Sequence, residues 1–160
     1  MLMRILILLV LGLFLSGCEH IVGTKADVPL EAKQLRDLLM GVWCGEKTFD
    51  DGSAQSWTIE RYRDGSYVIL FNTTSKDGVN TQWAEYGMWG IQYPIYFTVV
   101  LGYIEEGVPK PANTDDHTFY DAYNVQTLAD NEFSYTHYLT NNTFTTFKEC
   151  SELGIQELIK

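Results

Sequence analysis

The pairs Asp51-Gly52, Asp64-Gly65 and Asp77-Gly78 recur every 13 residues along the middle of the sequence. Each pair separates runs of aromatic and β-branched residues that alternate with polar ones. Asp-Gly in this setting is a strong β-hairpin signal, because a type I′ turn needs positive φ at both central positions. The segments between the pairs do not match one another, so the spacing is that of successive hairpins. The region after Gly41 is therefore predicted to be an antiparallel meander.

Further turn residues at 129–131 and 140–142 divide the rest of the chain in the same way. The predicted strands are 42–49, 54–63, 66–74, 81–92, 95–104, 118–128, 132–140 and 143–150. The segment 105–117 contains two of the four prolines and has no apolar period, so it is predicted to be a surface loop. A cap at Asp27, Pro29 in a first turn and an apolar stripe that ends before Gly41 predict one short helix ahead of the strands.

The first residues resemble a bacterial lipoprotein signal. Arg4 precedes an apolar run at 5–15 that is too short to span a bilayer core of about 30 Å. The sequence Leu15-Ser16-Gly17-Cys18 then resembles a lipobox, and this resemblance implies that Cys18 is acylated and becomes the first mature residue. The acyl chains would anchor the protein firmly to a membrane. Glu19 replaces the aspartate that retains such proteins in the inner membrane, which favours the outer membrane. The alternative is an ordinary signal peptide followed by a free cysteine.

These features predict three parts of the chain. Residues 1–17 are a lipoprotein signal peptide, 18–28 a tether and 29–160 one β-barrel domain, with a tail at 151–160 that forms one or two helical turns. Without Arg4, 10 basic residues remain against 21 acidic ones, a net charge of about −11. Such a surface repels nucleic-acid phosphates and anionic headgroups, so no nucleic-acid partner is expected. It would attract a basic protein partner, or it serves solubility.

Eight antiparallel strands can close into an up-and-down barrel, which removes exposed edges and leaves room for side chains or one small ligand. Closure places the first strand, with Cys44, beside the last, with Cys150. An exported protein sits where disulfides persist, so these cysteines are predicted to pair. The loop of about 100 residues would then contribute up to about 4.7 kcal/mol in the chain-entropy model. Two buried free thiols are the alternative.

Gly41-Val42-Trp43, at the start of the first strand and after a short helix, resembles the first motif of lipocalins and lipocalin-like domains. The resemblance implies an eight-stranded barrel in which Trp43 plugs one end. The other motifs of that family have no clear counterpart in the sequence.

Strand alternation places ionisable groups among aromatic residues on three predicted strands. If these faces point inward, they form an aromatic cavity that contains carboxylates and an imidazole, and mostly apolar pockets with a few polar groups are the usual small-molecule sites. A filled core with an internal polar network, or a bulge that turns a residue outward, is the alternative. The predicted ligand-lining residues are Trp83, Glu85, Trp89, Asp121, Tyr123, Tyr135 and His137.

The sequence gives little support for metal binding or for catalysis. The neighbours Asp115, Asp116 and His117 offer metal ligands but lack an apparent fourth one, so a solvated loop is the preferred interpretation. His137 with Asp121 or Glu85 has no identified nucleophile, and no nucleophile elbow or phosphate loop appears. We therefore expect no catalytic residue, no metal and no cofactor.

The sequence leads to two functional hypotheses. The first is a lipid-anchored protein of the bacterial cell envelope, at the outer membrane and facing the periplasm, that binds a small apolar or amphipathic ligand and performs no covalent chemistry. The second is a protein-binding module, such as an inhibitor of a basic envelope hydrolase, that acts through its acidic surface and the acidic residues of the 105–117 loop.

Overall fold

The computed structural model describes residues 30–148 and Cys150. One α-helix, α1 Leu30–Leu39, precedes the sheet, and a short 3-10 helix spans His117–Phe119. In the described part of the chain, no helix has both the length and the apolar character needed to cross a membrane. The strands of this part are β1 Gly41–Thr48, β2 Ala54–Arg61, β3 Ser66–Thr74, β4 Asn80–Gln92, β5 Ile95–Glu105, β6 Val108–Pro111, β7 Tyr120–Leu128, β8 Glu132–His137 and β9 Thr143–Phe147.

Eight of these strands close into an antiparallel barrel, as predicted. The hydrogen-bonded order β4-β3-β2-β1-β9-β8-β7-β5 is completed by pairing between β4 and β5. The first and last strands lie side by side, with Cys44 opposite Phe147 and Gly45 opposite Thr146. Because every strand of the ring has two neighbours, the ring has no exposed edge. The predicted helix ahead of β1 is also present.

The three Asp-Gly turns are confirmed as hairpin connections, but their type differs from the prediction. Gly52, Gly65 and Gly78 have φ between 80° and 95°, whereas the preceding aspartates do not have positive φ. In the first turn the Gly52 N–H donates to the Phe49 carbonyl and the Phe49 N–H donates to the Ser53 carbonyl. This is a type I turn followed by a glycine bulge. The Asp51 carboxylate favours it by accepting from the Ser53 N–H and hydroxyl.

The predicted surface loop 105–117 contains a ninth strand. β6 pairs with β5 through a tight hairpin, in which Glu106 and Gly107 both have positive φ. This is the type I′ geometry that was expected at the Asp-Gly pairs. β6 lies outside the closed ring, and its prolines are tolerated because an edge strand does not need every N–H for pairing.

A β-bulge sets which residues of β5 face the interior. The extra residue is Leu101, which falls between the partners of Tyr86 and Gly87 in β4. Inward residues such as Thr98 have even numbers before the bulge, whereas Tyr103 faces inward after it. The phase of alternation changes because a bulge inserts one unpaired residue.

One end of the barrel is closed by α1. Leu39 and Trp43 are completely buried there, and Trp43 packs edge-on against Phe133 with ring centroids 6.3 Å apart. The Arg36 guanidinium lies over the Trp89 ring, 5.2 Å from its centroid. We call this end, next to α1 and the turns 62–65, 93–94 and 129–131, the closed end. The open end is the opposite one, next to the turns 49–53, 75–79 and 138–142.

The predicted disulfide between Cys44 and Cys150 is confirmed, with Cα atoms 5.9 Å apart. It links β1 to the segment that follows β9, on the side of the closed end. The signal peptide 1–17 with Cys18, the tether 18–28 and the helical tail at 151–160 lie outside the described residues.

Candidate functional site

A cavity of about 440 Å³ occupies the open half of the barrel and reaches the surface at the open end. Trp83, in its wall, is 39% exposed, whereas Trp57 and Tyr96, deeper in the barrel, are 3% and 1% exposed. Ten of the 18 lining residues are aromatic: Trp57, Tyr67, Phe71, Trp83, Tyr96, Tyr103, Phe119, Tyr123, Tyr135 and Phe144. Aromatic side chains therefore form more than half of the wall.

Five of the seven predicted ligand-lining residues lie in this wall: Trp83 and Glu85 on β4, Asp121 and Tyr123 on β7, and Tyr135 on β8. The structure does not place the other two, Trp89 and His137, among the residues that line the cavity. Trp89 points inward, but it lies six residues after Trp83 on β4, which is about 20 Å further along the strand. It therefore belongs to the core of the closed end. His137 lies behind Asp121 and does not line the cavity.

Glu85 is the most isolated charged group of the wall. Its one hydrogen bond to a described residue comes from the Tyr67 hydroxyl, at 3.3 Å from Oε1. Burial raises the pKa of Glu85 to about 7, against the lowering effect of the Tyr67 hydrogen bond and with a further rise from the Asp121 charge. Without a ligand in the cavity, the Glu85 carboxyl group therefore gains or loses its proton near neutral pH.

Asp121 is held by His137. The imidazole Nε2 lies 3.1 Å from Asp121 Oδ1, and the Thr140 backbone N–H donates to Nδ1 across 3.2 Å. Because Nδ1 accepts that bond, the neutral ring carries its hydrogen on Nε2 and donates it to the carboxylate. The Thr140 hydroxyl is 3.0 Å from the same Nδ1, so it completes the turn after β8 and lies on the side of the ring away from Asp121.

The hydroxyls of Tyr67, Tyr123 and Tyr135 in the wall remain neutral. Burial raises the pKa of Tyr67, Tyr123 and Tyr135 above the ordinary value of 10, and nearby acidic groups add to the rise for Tyr67 and Tyr123. The rings pack in close pairs, such as Tyr123 with Tyr135 at 5.0 Å between centroids. These phenols can exchange hydrogen bonds with a guest molecule but supply no charge to it.

Glycine makes room for one of these rings. A Cβ on Gly87 would lie 2.8 Å from the Tyr67 ring and 2.0 Å from the Val99 carbonyl oxygen. The Tyr67 ring therefore lies across the β4 backbone, where its hydroxyl reaches Glu85. Gly45 makes room for Trp57 in the same way.

Below the floor of the cavity lies a buried arginine that the sequence reasoning missed. Arg61 is 1% exposed, and its Nε and Nη2 donate to the Tyr96 hydroxyl across 3.2 Å and 3.1 Å. Its guanidinium carbon lies 5.2 Å from the Tyr96 ring centroid and 5.6 Å from that of Phe133. Within the described residues no carboxylate pairs with it. Alternation along β2, from Trp57 through Ile59, is the signal that could have placed Arg61 inside.

Outside the barrel, two of the four acidic residues of segment 105–117 are engaged locally. Glu105 pairs with Lys110 across the β5–β6 hairpin, and Asp116 accepts from the Thr118 N–H and hydroxyl at the start of the 3-10 helix. In the described chain, no group of three or more His, Cys, Asp and Glu residues could hold a metal ion. A basic protein partner for this surface stays a prediction.

The sequence matches no protein-family model and no curated protein. The solved structures that are similar to it include the following two. A lipocalin-like protein from Bacteroides uniformis is 18% identical, with a TM-score of 0.40 over 69% of this chain and 96% of that chain. A de novo designed fluorescence-activating β-barrel is 11% identical, with a TM-score of 0.36 over 69% of this chain and 91% of that chain. The barrel and its cavity are defined by this chain's own strand pairing.

Proposed function

We propose that this protein is a lipid-anchored protein of the bacterial envelope, attached to the outer membrane and facing the periplasm, that binds one small apolar or amphipathic molecule inside its barrel and catalyses no reaction. The observation that carries the proposal is the aromatic cavity of about 440 Å³ with one closed and one open end.

The size and lining of the cavity support binding. Protein interiors are close-packed and hold few voids larger than a water molecule, so a void of this size in a small barrel needs a reason. Small-molecule sites have volumes of about 300–1,000 Å³, mostly apolar walls and a few polar groups. Here the polar groups are Glu85, Asp121 and the wall hydroxyls, against ten aromatic side chains.

The location within the envelope is supported by two observations of different kinds. The sequence Leu15-Ser16-Gly17-Cys18 resembles a lipobox, with Cys18 as the acylated residue. The disulfide between Cys44 and Cys150 suits an oxidising compartment outside the cytosol.

A binding role without catalysis fits the surroundings of the Asp121–His137 pair. The hydroxyl nearest to the imidazole, that of Thr140, lies on Nδ1, which is already occupied by the Thr140 N–H. A general base needs a free nitrogen toward the group it deprotonates. The pair therefore serves to hold Asp121 in the wall.

Mass spectrometry of the full-length protein, exported by a bacterial host and purified in detergent, tests the proposal. Native and denaturing spectra should show a chain that begins at an acylated Cys18 and a small molecule that is lost on denaturation. The neutral fluorophore N-phenyl-1-naphthylamine should displace that molecule.

Two variants locate the binding. Thr98→Trp fills the cavity from its wall and should abolish retention of the small molecule and of the fluorophore, whereas Ser56→Trp, on an exposed outward position of β2, should retain both. An oxidised, folded wild-type protein that binds neither the molecule nor the fluorophore would refute the proposal.

A further inference from the structure

The ionised groups that line the cavity have one sign. Glu85 and Asp121 lie in the wall, and none of the 18 lining residues is a lysine or an arginine. The nearest cations of the described chain are held elsewhere. Arg61 is bound to the Tyr96 hydroxyl below the floor, and Lys47 donates to Asn142 Oδ1 across 2.9 Å at the rim. The wall of the cavity therefore presents two carboxylates and no lysine or arginine.

Glu85 in particular has no counter-ion among the described residues. A carboxylate removed from water needs a charged partner or several hydrogen-bond donors, and Glu85 has the Tyr67 hydroxyl at 3.3 Å. Asp121 has the His137 N–H at 3.1 Å, which is a neutral donor in the tautomer that Thr140 selects. Both carboxylates can accept further hydrogen bonds from a molecule in the cavity.

The aromatic wall favours the same type of guest. The faces of tryptophan, tyrosine and phenylalanine attract cations through the ring quadrupole, more strongly where water is excluded. Glu85 on β4 is opposite Tyr103 on β5 and bonded to Tyr67 on β3, so rings lie on both sides of its carboxylate. Rings and carboxylates around one space form a site for an organic cation.

We propose that the cavity binds a small organic amine, whose ammonium group donates to the Glu85 carboxylate, with Asp121 as the second acceptor, while its apolar part packs against the aromatic wall. This inference rests on the proposed function and names the chemical class of its ligand. The amine is a guest only, and no bond forms or breaks.

Binding of an amine should depend on pH through Glu85. Because burial raises the pKa of Glu85 to about 7, the free carboxyl group must lose a proton to pair with an ammonium ion, so affinity should rise from about pH 6 to about pH 8. The titratable groups that face Glu85 are Tyr67 on β3, Tyr103 on β5 and Asp121 on β7, together with His137 behind Asp121. The pKa of each of the two phenols is raised, so they stay neutral over this range.

Competition against N-phenyl-1-naphthylamine on the full-length protein tests the inference with three probes that share one apolar part: 2-(2-naphthyl)ethylamine, 2-(2-naphthyl)ethanol and 2-naphthylacetate. A charge-assisted hydrogen bond in a desolvated site corresponds to about 10- to 100-fold in affinity, so near pH 8 the amine should bind at least about tenfold more tightly than the alcohol, and the carboxylate most weakly.

Two variants assign the effect. Glu85→Gln should reduce amine affinity by about tenfold or more, leave the alcohol within about twofold and remove the pH dependence. Glu46→Gln, at an exposed outward position of β1, is the matched control and should change none of these values. The comparison of the three probes on the wild type does not depend on how well the variant folds.

The outcomes separate the two proposals. If the fluorophore binds but the alcohol or the carboxylate competes as well as the amine, the barrel is a binding protein of another ligand class and this inference is wrong. The same holds if the amine preference survives Glu85→Gln with its pH dependence unchanged. If neither the fluorophore nor any probe binds, the proposed function itself fails and this inference fails with it.

Discussion

At the closed end of the barrel, Trp43, Trp89 and Phe133 are almost completely buried beneath α1, whereas at the open end Trp83 lines a cavity and is 39% exposed. Both ends are built from aromatic side chains on the same ring of strands. They differ in the charged groups that accompany the rings, and this difference bears on both stability and binding.

The closed end contains its own cations. Arg36 lies over the Trp89 ring at 5.2 Å, Lys148 over the Trp43 ring at 5.0 Å, and Arg61 over the Tyr96 and Phe133 rings. Each positive group covers a ring face and removes it from water. At the closed end, therefore, positively charged side chains of the protein itself cover the faces of the aromatic rings.

The open end has the rings and two carboxylates. Lys47 lies over the Phe49 and Phe144 rings at the rim and Arg61 over the Tyr96 ring below the cavity, but within the described residues no cation lies over the rings beside Glu85, those of Tyr67 and Tyr103. Glu85 faces the cavity, where a bound counter-ion would neutralise its charge. Among the described residues, no such cation lies beside Glu85, and the proposed amine would supply one. The comparison predicts that substitutions at the closed end reduce stability, whereas those at the open end mainly change binding.

The largest expected loss of stability follows removal of the closed-end plug. Trp43→Ala should lower the free energy of unfolding by about 3–5 kcal/mol, as expected for a fully buried tryptophan. Trp83→Ala at the open end loses one stacked ring pair with Phe71 and should cost about 1 kcal/mol. Urea unfolding followed by far-ultraviolet circular dichroism gives both values. Equal losses at the two ends would contradict the comparison.

A smaller loss is expected for the disulfide, which fastens the chain beside the closed end. Cys44→Ser with Cys150→Ser opens a link between residues 106 apart in sequence and should lower stability by about 2–4 kcal/mol. Urea unfolding with and without reductant measures this loss, and reductant should have no effect on the double variant. Binding of N-phenyl-1-naphthylamine by the folded variant should stay within about twofold, because neither Cys44 nor Cys150 lines the cavity. A tenfold loss of binding would instead connect the disulfide to the open end.

Much of this architecture could be predicted from the sequence. Turn glycines and period-2 alternation are local signals, and closure follows from the need to leave no edge among eight strands. The Cys44–Cys150 pair then follows from which two strands meet. Alternation correctly placed the inward positions before any bulge on β4, β7 and β8, and the β7 bulge lies beyond Asp121 and Tyr123, between Val125 and Thr127.

Position along the barrel could not be predicted by the same means. Alternation places Trp83 and Trp89 on one face, but the 13-residue length of β4 sends one to the cavity and the other to the closed core. Arg61 was missed because a buried guanidinium is costly by itself. It is tolerated here through Tyr96, 35 residues away, and Phe133, which are contacts that only the folded chain reveals.

The β5–β6 hairpin was missed for another reason. Prolines at 109 and 111 argue against a strand, but β6 lies outside the ring, where an unpaired N–H is not required. Glu106-Gly107 was the available signal, since glycine at the second central position suits a type I′ turn.

The last expected effect has the opposite sign and comes from the open end. The pKa of Glu85 rises from an ordinary value of 4.5 to about 7 in the folded protein, so the folded state binds more protons than the unfolded state between these values. Stability contributed by the protonated form is therefore present at low pH and is lost as pH rises through about 7. Gln does not ionise, so Glu85→Gln should match the wild type near pH 5 and exceed its free energy of unfolding by about 1–2 kcal/mol near pH 8, a value reduced from the full shift because Glu85 is only partly buried.

Urea unfolding of both proteins at the two pH values measures this difference, with Glu46→Gln as the control that should follow the wild type at each pH. A difference of the same size at both pH values would mean that ionisation of Glu85 is not its origin. If the gain appears near pH 8 while amine binding is lost, one carboxylate both destabilises the empty barrel and binds its guest. In that case, adding 2-(2-naphthyl)ethylamine near pH 8 should raise the free energy of unfolding of the wild type, because a ligand that binds only the folded state stabilises it. The same addition should not stabilise the Glu85→Gln variant.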